Sequence, residues 1–215
     1  PAMQISGAVI CIDSTEAVID EAISLGFNLV IAHHPIVFTG LKKFNGDNYV
    51  ERVIIKAIRN NIAIFAIHTN LDNVMDGVNR KLAEKLGLSQ LRILVPKKGL
   101  LKKLVTYCPL ADAERVKSAL FSAGAGSVGN YDECSFGVHG TGTFRGNESS
   151  NPSVGQKGIR HHEPEERIEV IFEGFRQSQL LNALLSVHPY EEIAYDIYSI
   201  DNQYRNVGSG MLGRY

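Results

Sequence analysis

Apolar residues in the first hundred positions alternate between two patterns. Short runs rich in β-branched residues, typical of strands buried on both faces of a sheet, occur three times. Between and after them, apolar residues recur at the three- and four-residue spacing of amphipathic helices. The predicted strands and helices, in chain order, are residues 8–12, 14–25, 29–32, 48–60, 63–67 and 77–86. This alternation of strand and helix predicts a parallel sheet with helices packed against its faces.

Polar residues and a glycine mark the ends of the first predicted helix. Asp13, with Glu16 three residues later, fits a helix N-cap and its capping-box partner. Gly26 fits the left-handed residue that often ends a helix. We therefore expect Asp13 to serve as a helix cap.

The pattern changes near Leu100. The elements predicted beyond that point are a strand at 104–108, a helix from about 112, strands near 134–138 and at 167–172, a helix around 180–185 and a strand at 192–200. Their order is β-α-β-β-α-β, that of a ferredoxin-like α+β sandwich. We place one domain at 1–100, a second at 101–201 and a return segment at 202–215. The abrupt start and end of the chain indicate a piece of a longer protein.

Three histidines and an aspartate follow the second and third predicted strands. His33 and His34 come directly after one strand, and His68 and Asp72 after the next. The carboxyl ends of parallel strands are where open α/β sheets bind ligands. Imidazoles with a carboxylate suit Zn, Fe, Mn, Ni or Co better than Mg or Ca. These four residues therefore predict a metal site, and the alternative is a set of hydrogen-bonded structural histidines.

The geometry of that site depends on how the histidine pair is turned. Adjacent residues of an extended chain point in opposite directions. His33 and His34 would therefore diverge, unless the chain turns at Pro35 or each histidine serves a different ion. Asp72 could bridge two ions through its two oxygens.

Two further segments carry polar groups with a chemical use. His188-Pro189-Tyr190-Glu191-Glu192 offers acid–base groups or ligands, and the alternative is a helix stop at Pro189 followed by a solvated polar turn. The glycine-rich stretches 124–126 and 140–144 could hold a phosphate on backbone amides. Tight turns and a bulge explain the same glycines.

Composition narrows the function classes. The 215 residues include 22 Lys and Arg against 23 Asp and Glu, a net charge of −1, which gives no sign of direct nucleic-acid or anionic-membrane binding. No run of about 20 apolar residues predicts a membrane span. The three cysteines lie far apart without a CxxC pair, which fits a reducing cytoplasm.

Several motifs, taken together, resemble one known family. They are Ile31-Ala32-His33-His34-Pro35, His68-Thr69-Asn70-Leu71-Asp72, Gly77-Val78-Asn79, Gly124-Ala125-Gly126, Gly129-Asn130-Tyr131, Gly140-Thr141-Gly142-Thr143-Phe144 and His188-Pro189-Tyr190-Glu191-Glu192. The set resembles the GTP cyclohydrolase 1 type 2 homologue family, also called Nif-three-like, in its long bacterial form. The resemblance covers essentially the whole chain.

The resemblance implies a fold and a set of ligands. It implies a partial Nif-three-like α/β domain with an inserted PII-like or CutA-like domain, a site for two divalent metal ions per subunit, and a toroidal homohexamer. His33 and His34 match the family's paired metal-binding histidines, Asp72 matches its bridging aspartate, and His68 lies in the matching motif. A family segment of the form Gly-His-x-x-x-Glu has no counterpart after Tyr198. The chain thus resembles the first half of the metal domain with the insert.

The function expected from this reading is metal-dependent hydrolysis. Two ions would acidify a bound water, which would attack a small-molecule or nucleotide substrate. GTP ring opening is implied by the family label alone, and the residues assign no catalytic group. One alternative is a regulatory or metal-handling oligomer whose insert binds a small effector or a partner protein. Another is a metal that only stabilises the fold.

Overall fold

The computed structural model describes residues 3–215. The elements, in chain order, are β1 (Ala8–Cys11), α1 (Glu16–Leu25), β2 (Leu29–Ala32), α2 (Tyr49–Arg59), β3 (Ala63–Ala66), α3 (Val78–Lys85), β4 (Ser89–Lys97), β5 (Leu101–Pro109), α4 (Ala113–Ser122), β6 (Ser135–Phe144), β7 (His161–Glu173), α5 (Gln177–Val187), β8 (Tyr195–Ser199) and β9 (Tyr204–Arg214). They form two compact units, one running up to Val95 and including Asn206–Tyr215, the other Pro96–Arg205.

The first unit is built on the predicted parallel sheet, with strands in the order β1-β2-β3. The register sets Val9, Val30 and Ile64 in one row across the sheet. This row packs against α1 and α2, whose buried members are Ile19, Ala22, Val53 and Ala57. Each fully buried Ile or Val contributes about 1.5–3 kcal/mol to folding. That core fixes the three strands, and therefore fixes where their carboxyl ends lie.

The opposite row of the sheet corrects one prediction. Ile10, Ile31 and Phe65 share the register on the other face, and Ile10 is 79% exposed and Phe65 53% exposed. The expectation that these strands are buried on both faces is wrong within residues 3–215. Helices α1 and α2 pack against the row of Val9, Val30 and Ile64. The core that they form with that row does not cover the face that carries Ile10 and Phe65.

Helix α1 corrects a second prediction. Its N-cap is Thr15, whose Oγ1 accepts a hydrogen bond from Val18 N at 3.4 Å, and Asp13 is not the cap. The chain takes two more residues to leave the sheet before the helix begins, so Asp13 remains at the strand end. Gly26 does end the helix as predicted, with φ +69° and its N–H on the carbonyls of Ala22 and Ile23.

A capping test separates the two assignments. Replacing Thr15 by Ala is expected to lower the free energy of unfolding by about 1 kcal/mol, because one helix N–H loses its acceptor. Thr15→Ser, measured by the same chemical denaturation, is the matched control, because it keeps the hydroxyl that accepts from Val18 N. A loss for Thr15→Ser as large as that for Thr15→Ala would contradict the assignment.

Asn48 caps helix α2, and Glu51 in the first turn of that helix holds the preceding loop. Asn48 Oδ1 accepts from Glu51 N at 2.9 Å, and Glu51 Oε2 accepts from the backbone N–H groups of Asn45, Gly46 and Asp47 at 2.9–3.2 Å. Glu51 is buried, with 2% of its surface exposed. The loop that follows the histidine pair is therefore fixed at its far end.

Strands β4 and β9 form a two-stranded sheet that the sequence did not predict. Beside that sheet, Met75 N donates to Asn206 O at 3.0 Å and Gly208 N donates to Asn73 O at 2.7 Å. The return segment thus braces the loop that carries Asp72.

The second unit has the predicted β-α-β-β-α-β order, in β5, α4, β6, β7, α5 and β8. Its antiparallel sheet has the order β6-β7-β5-β8. The core between this sheet and the two helices includes Leu104, Val116, Leu120, Ile168, Val170, Leu180 and Leu184. None of the helices in the part of the chain that the structure describes is long and apolar enough to cross a membrane.

Candidate metal centre

The parallel ladder continues past the ends of the three strands of the first unit. His33 N donates to Cys11 O at 3.1 Å, and His34 N donates to Ile12 O at 2.9 Å. His68 N donates to His33 O at 2.9 Å. Backbone pairing therefore brings the residues after β1, β2 and β3 to one edge of the sheet, the edge at which open α/β sheets bind ligands.

The three imidazoles lie together at this edge. Ring centroids are 4.8 Å apart for His33 and His34, 5.7 Å for His33 and His68, and 6.3 Å for His34 and His68. The chain bends at His33 and His34, so the two adjacent side chains do not point to opposite faces. The structure thus brings together three of the four residues singled out in the sequence.

Asp13 is the site residue that the sequence reasoning missed. Its Oδ1 lies 2.8 Å from Nδ1 of His34. A carboxylate on one ring nitrogen holds a proton there and leaves Nε2 as the acceptor or ligand atom. A usable signal was present, since Asp13 follows the first predicted strand as His33 follows the second.

His68 and Asp72 are placed by the turn after β3. His68 has φ +40°, an unusual conformation for a residue with a side chain, and it opens a short 3-10 helix, His68–Asn70. Asp72 is half-buried, and its backbone carbonyl accepts from Asn79 Nδ2 at 2.7 Å. Its carboxylate makes no hydrogen bond or ion pair to any described residue.

The side chains fit a divalent transition metal in kind but do not form a finished coordination sphere. Imidazoles on one tetrahedral ion have ring centres about 5 Å apart, close to the spacings found here. Within residues 3–215, however, no group of three or more His, Cys, Asp or Glu side chains is arranged to hold a metal ion. Neither the three histidines alone nor the histidines together with Asp72 therefore form a finished ligand group among the described residues.

The segment His188–Glu192 in the second unit begins with a buried histidine and not with a solvated turn. His188 is buried, with Nε2 donating to Tyr107 O at 3.0 Å and Nδ1 accepting from Tyr190 N at 3.1 Å. The bond accepted at Nδ1 requires the neutral ring. Burial lowers the pKa of His188, although the hydrogen bond to the Tyr107 carbonyl opposes that shift. The alternative of a wholly solvated turn is wrong for this residue.

The stretch Gly140–Thr143 does not form a phosphate-binding loop. It lies within β6 and pairs with Glu165, Pro164, Glu163 and His162 of β7. Its backbone is thus part of a sheet ladder, and the phosphate alternative is wrong there.

Comparison with known proteins places the chain among close relatives. It is 42% identical over 203 residues to the GTP cyclohydrolase 1 type 2 homolog of Halalkalibacterium halodurans. The matched region covers 94% of this chain and 55% of that protein. The Bacillus subtilis protein of the same name is 40% identical over 210 residues, 97% of this chain and 56% of the relative. The chain spans about half the length of the curated relatives it matches.

Structure and family comparisons agree with this result. A crystal structure of a Bacillus cereus protein related to NIF3 superposes with a TM-score of 0.80 at 42% identity, covering 98% of this chain and 56% of that one. The model of the family Duf34/NIF3 (NGG1p interacting factor 3) matches residues 1–210. The resemblance drawn from the histidine and glycine motifs is confirmed, and the chain belongs to the Duf34/NIF3 family.

Proposed function

We propose that this chain supplies part of a divalent-metal site and that the protein is a metal-dependent hydrolase. His33, His34 and His68 would be imidazole ligands, and Asp72 would be the carboxylate. The observation that carries the proposal is the set of three rings within 6.3 Å of one another at the strand ends. A cluster built on rigid strand ends is the arrangement expected of a binding site.

The residues around the rings have separate tasks in this proposal. Asp13 holds the proton on His34 Nδ1, so that Nε2 keeps its lone pair for a ligand. The strained backbone of His68 keeps its ring beside the other two. The Asp72 carboxylate, without a partner among the described residues, is available to a cation.

A divalent ion bound there would supply an acidified water and positive charge for a developing oxyanion. The proposal names Zn, Fe, Mn, Ni or Co, because the donor set is rich in nitrogen. Two ions per subunit, further His and Glu ligands from the remaining half of the relatives' length, a homohexamer and a small-molecule or nucleotide substrate are parts of the same proposal.

Metal titration tests the site. Zn²⁺ added to the full chain is expected to bind saturably in calorimetry, and His33→Ala should weaken that binding by about tenfold or more. Asp13→Asn should also weaken it by about tenfold, because the orienting acceptor is lost. His162→Ala, at an exposed histidine outside the cluster, is the control. Equal affinities in all four proteins would refute the site.

Turnover then separates the hydrolase from a metal-handling protein. The longer protein, loaded with metal, should hydrolyse a nucleotide or a phosphoester and lose that turnover in Asp72→Ala. Stoichiometric metal binding without turnover on either substrate class would favour the second candidate, a regulatory or metal-handling oligomer. A cavity in the second unit supports that candidate.

A further inference from the structure

A cavity of about 690 Å³ opens in the second unit, and none of its lining residues belongs to the proposed metal site. Its walls are the end of β6 with the loop after it, one side of β5 and β7, and the turn that follows α5. The volume lies within the range of about 300–1,000 Å³ found for small-molecule sites. The cavity has no part in the metal site proposed above.

A buried carboxylate lines the cavity. Glu165 is only 8% exposed, and its Oε1 accepts a hydrogen bond from Tyr190 Oη at 2.7 Å. No cationic side chain among residues 3–215 lies within ion-pair distance of it. The next residue, Glu166, is equally buried but has Lys117 Nζ at 3.3 Å. A buried carboxylate without a counter-charge is costly, and a cation in the cavity would offset that cost.

The position of this carboxylate depends on a glycine in the facing strand. A Cβ atom on Gly142 would lie 2.0 Å from Glu165 Oε2, so any side chain there would displace the carboxylate. Both residues line the cavity. The glycine thus provides the space in which Glu165 is held against the cavity wall.

The tyrosine beside Glu165 is positioned by a buried histidine. Tyr190 N donates to His188 Nδ1, and His188 is anchored on the Tyr107 carbonyl. The ring of Phe144 stands 5.8 Å from the ring of Tyr190, forming an aromatic wall next to the carboxylate. Aromatic faces and a carboxylate side by side are the groups that bind organic cations.

The remaining charges at the cavity also favour a cation. Its lining holds three carboxylates, on Glu165, Glu191 and Glu192, and two guanidinium groups, on Arg145 and Arg167. Arg167 is paired with Glu169 at 2.8 Å, so one of the two positive charges is already compensated.

We propose that this cavity binds a small organic cation, an ammonium or amidinium group on an apolar body, with Glu165 as its anchor and Phe144 and Tyr190 as its aromatic wall. The ligand is held by charge at one end and by apolar contact along its length. This proposal is independent of the metal site, so the failure of metal binding would leave it in place.

Benzylamine, with its neutral isostere benzyl alcohol, is the probe pair. Titrated into the full chain, benzylamine should bind saturably and shift the amide resonances of Gly142 and Phe144. Benzyl alcohol should bind about tenfold more weakly or worse, because it lacks the charge-assisted bond to Glu165. This comparison uses the unsubstituted protein and depends on no variant folding.

Two variants locate the anchor. Glu165→Gln should lower the affinity for benzylamine by about tenfold or more and leave that for benzyl alcohol unchanged. Glu166→Gln removes the same charge one residue away, outside the cavity lining, and should leave both affinities unchanged. Equal binding of the two probes, shifts mapped outside the cavity, or no saturable binding of benzylamine at millimolar concentration would overturn the proposal.

Discussion

Replacing Gly77 by Ala is expected to lower the free energy of unfolding by about 3 kcal/mol. Gly77 is buried at the start of α3, and a Cβ atom there would lie 1.7 Å from the carbonyl oxygen of Leu71. That oxygen also accepts a hydrogen bond from Val78 N at 3.1 Å. Because the obstacle is backbone and not a flexible side chain, the loop that carries Asp72 must move.

Gly40→Ala is the matched control. No atom lies within 4 Å of a Cβ built on Gly40, and its φ is not in the left-handed region, so its substitution should change stability by less than about 0.5 kcal/mol. Chemical denaturation of both variants measures the difference. If Gly77→Ala were as stable as Gly40→Ala, the close approach of Leu71 to Gly77 would be wrong.

The parallel sheet of the first unit was predictable because local pattern and fold agree there. Apolar strand runs such as Leu29–Ala32 alternate with segments of helical periodicity. That alternation is compatible with few topologies other than a parallel sheet. The exposure of Ile10 and Phe65 was not predictable, because an apolar strand has the same sequence whether one or both of its faces are covered. The pairing of β4 with β9 was missed because it joins segments more than a hundred residues apart, and the second is rich in glycine.

The candidate site residues were also only partly predictable from the sequence. Three histidines that follow two neighbouring predicted strands indicate a site, whereas a lone aspartate before a predicted helix is equally typical of a helix cap, as Asp13 shows. Glu165 lies in a run of charged residues that is typical of a solvated strand. Its burial depends on Gly142 across the sheet and on Tyr190 from the turn after α5. Such cross-strand contacts are set by register, which local sequence does not reveal.

His188→Ala is expected to lower the free energy of unfolding of the protein by about 3 kcal/mol. The substitution leaves a cavity in a buried position and removes the partners of the Tyr107 carbonyl and the Tyr190 N–H. His162→Ala is the control, since His162 is exposed and its Nδ1 lies at the long distance of 3.3 Å from Thr143 Oγ1. Equal stability of the two variants would contradict the burial of His188 and its hydrogen bonds at both ring nitrogens.

The same residue should make stability depend on pH. Burial lowers the pKa of His188 in the folded protein below its ordinary value of about 6.5, although the Tyr107 carbonyl opposes the shift. As pH falls below about 6.5, the unfolded chain takes up a proton that the folded chain does not accept until a lower pH. The contribution of His188 to stability is therefore complete above about pH 6.5 and decreases as the solution is acidified from there.

The pH dependence of stability of a His188 variant, subtracted from that of the wild type, separates the contribution of His188 from those of the other six histidines of the chain. Denaturation of the wild type and of His188→Gln between pH 5 and 8 should show a difference that is constant at high pH and shrinks on acidification, because Gln takes up no proton. A difference for His188→Gln that grows as the pH falls would mean that the folded state stabilises the imidazolium, and that the neutral ring between Tyr107 and Tyr190 is wrongly assigned.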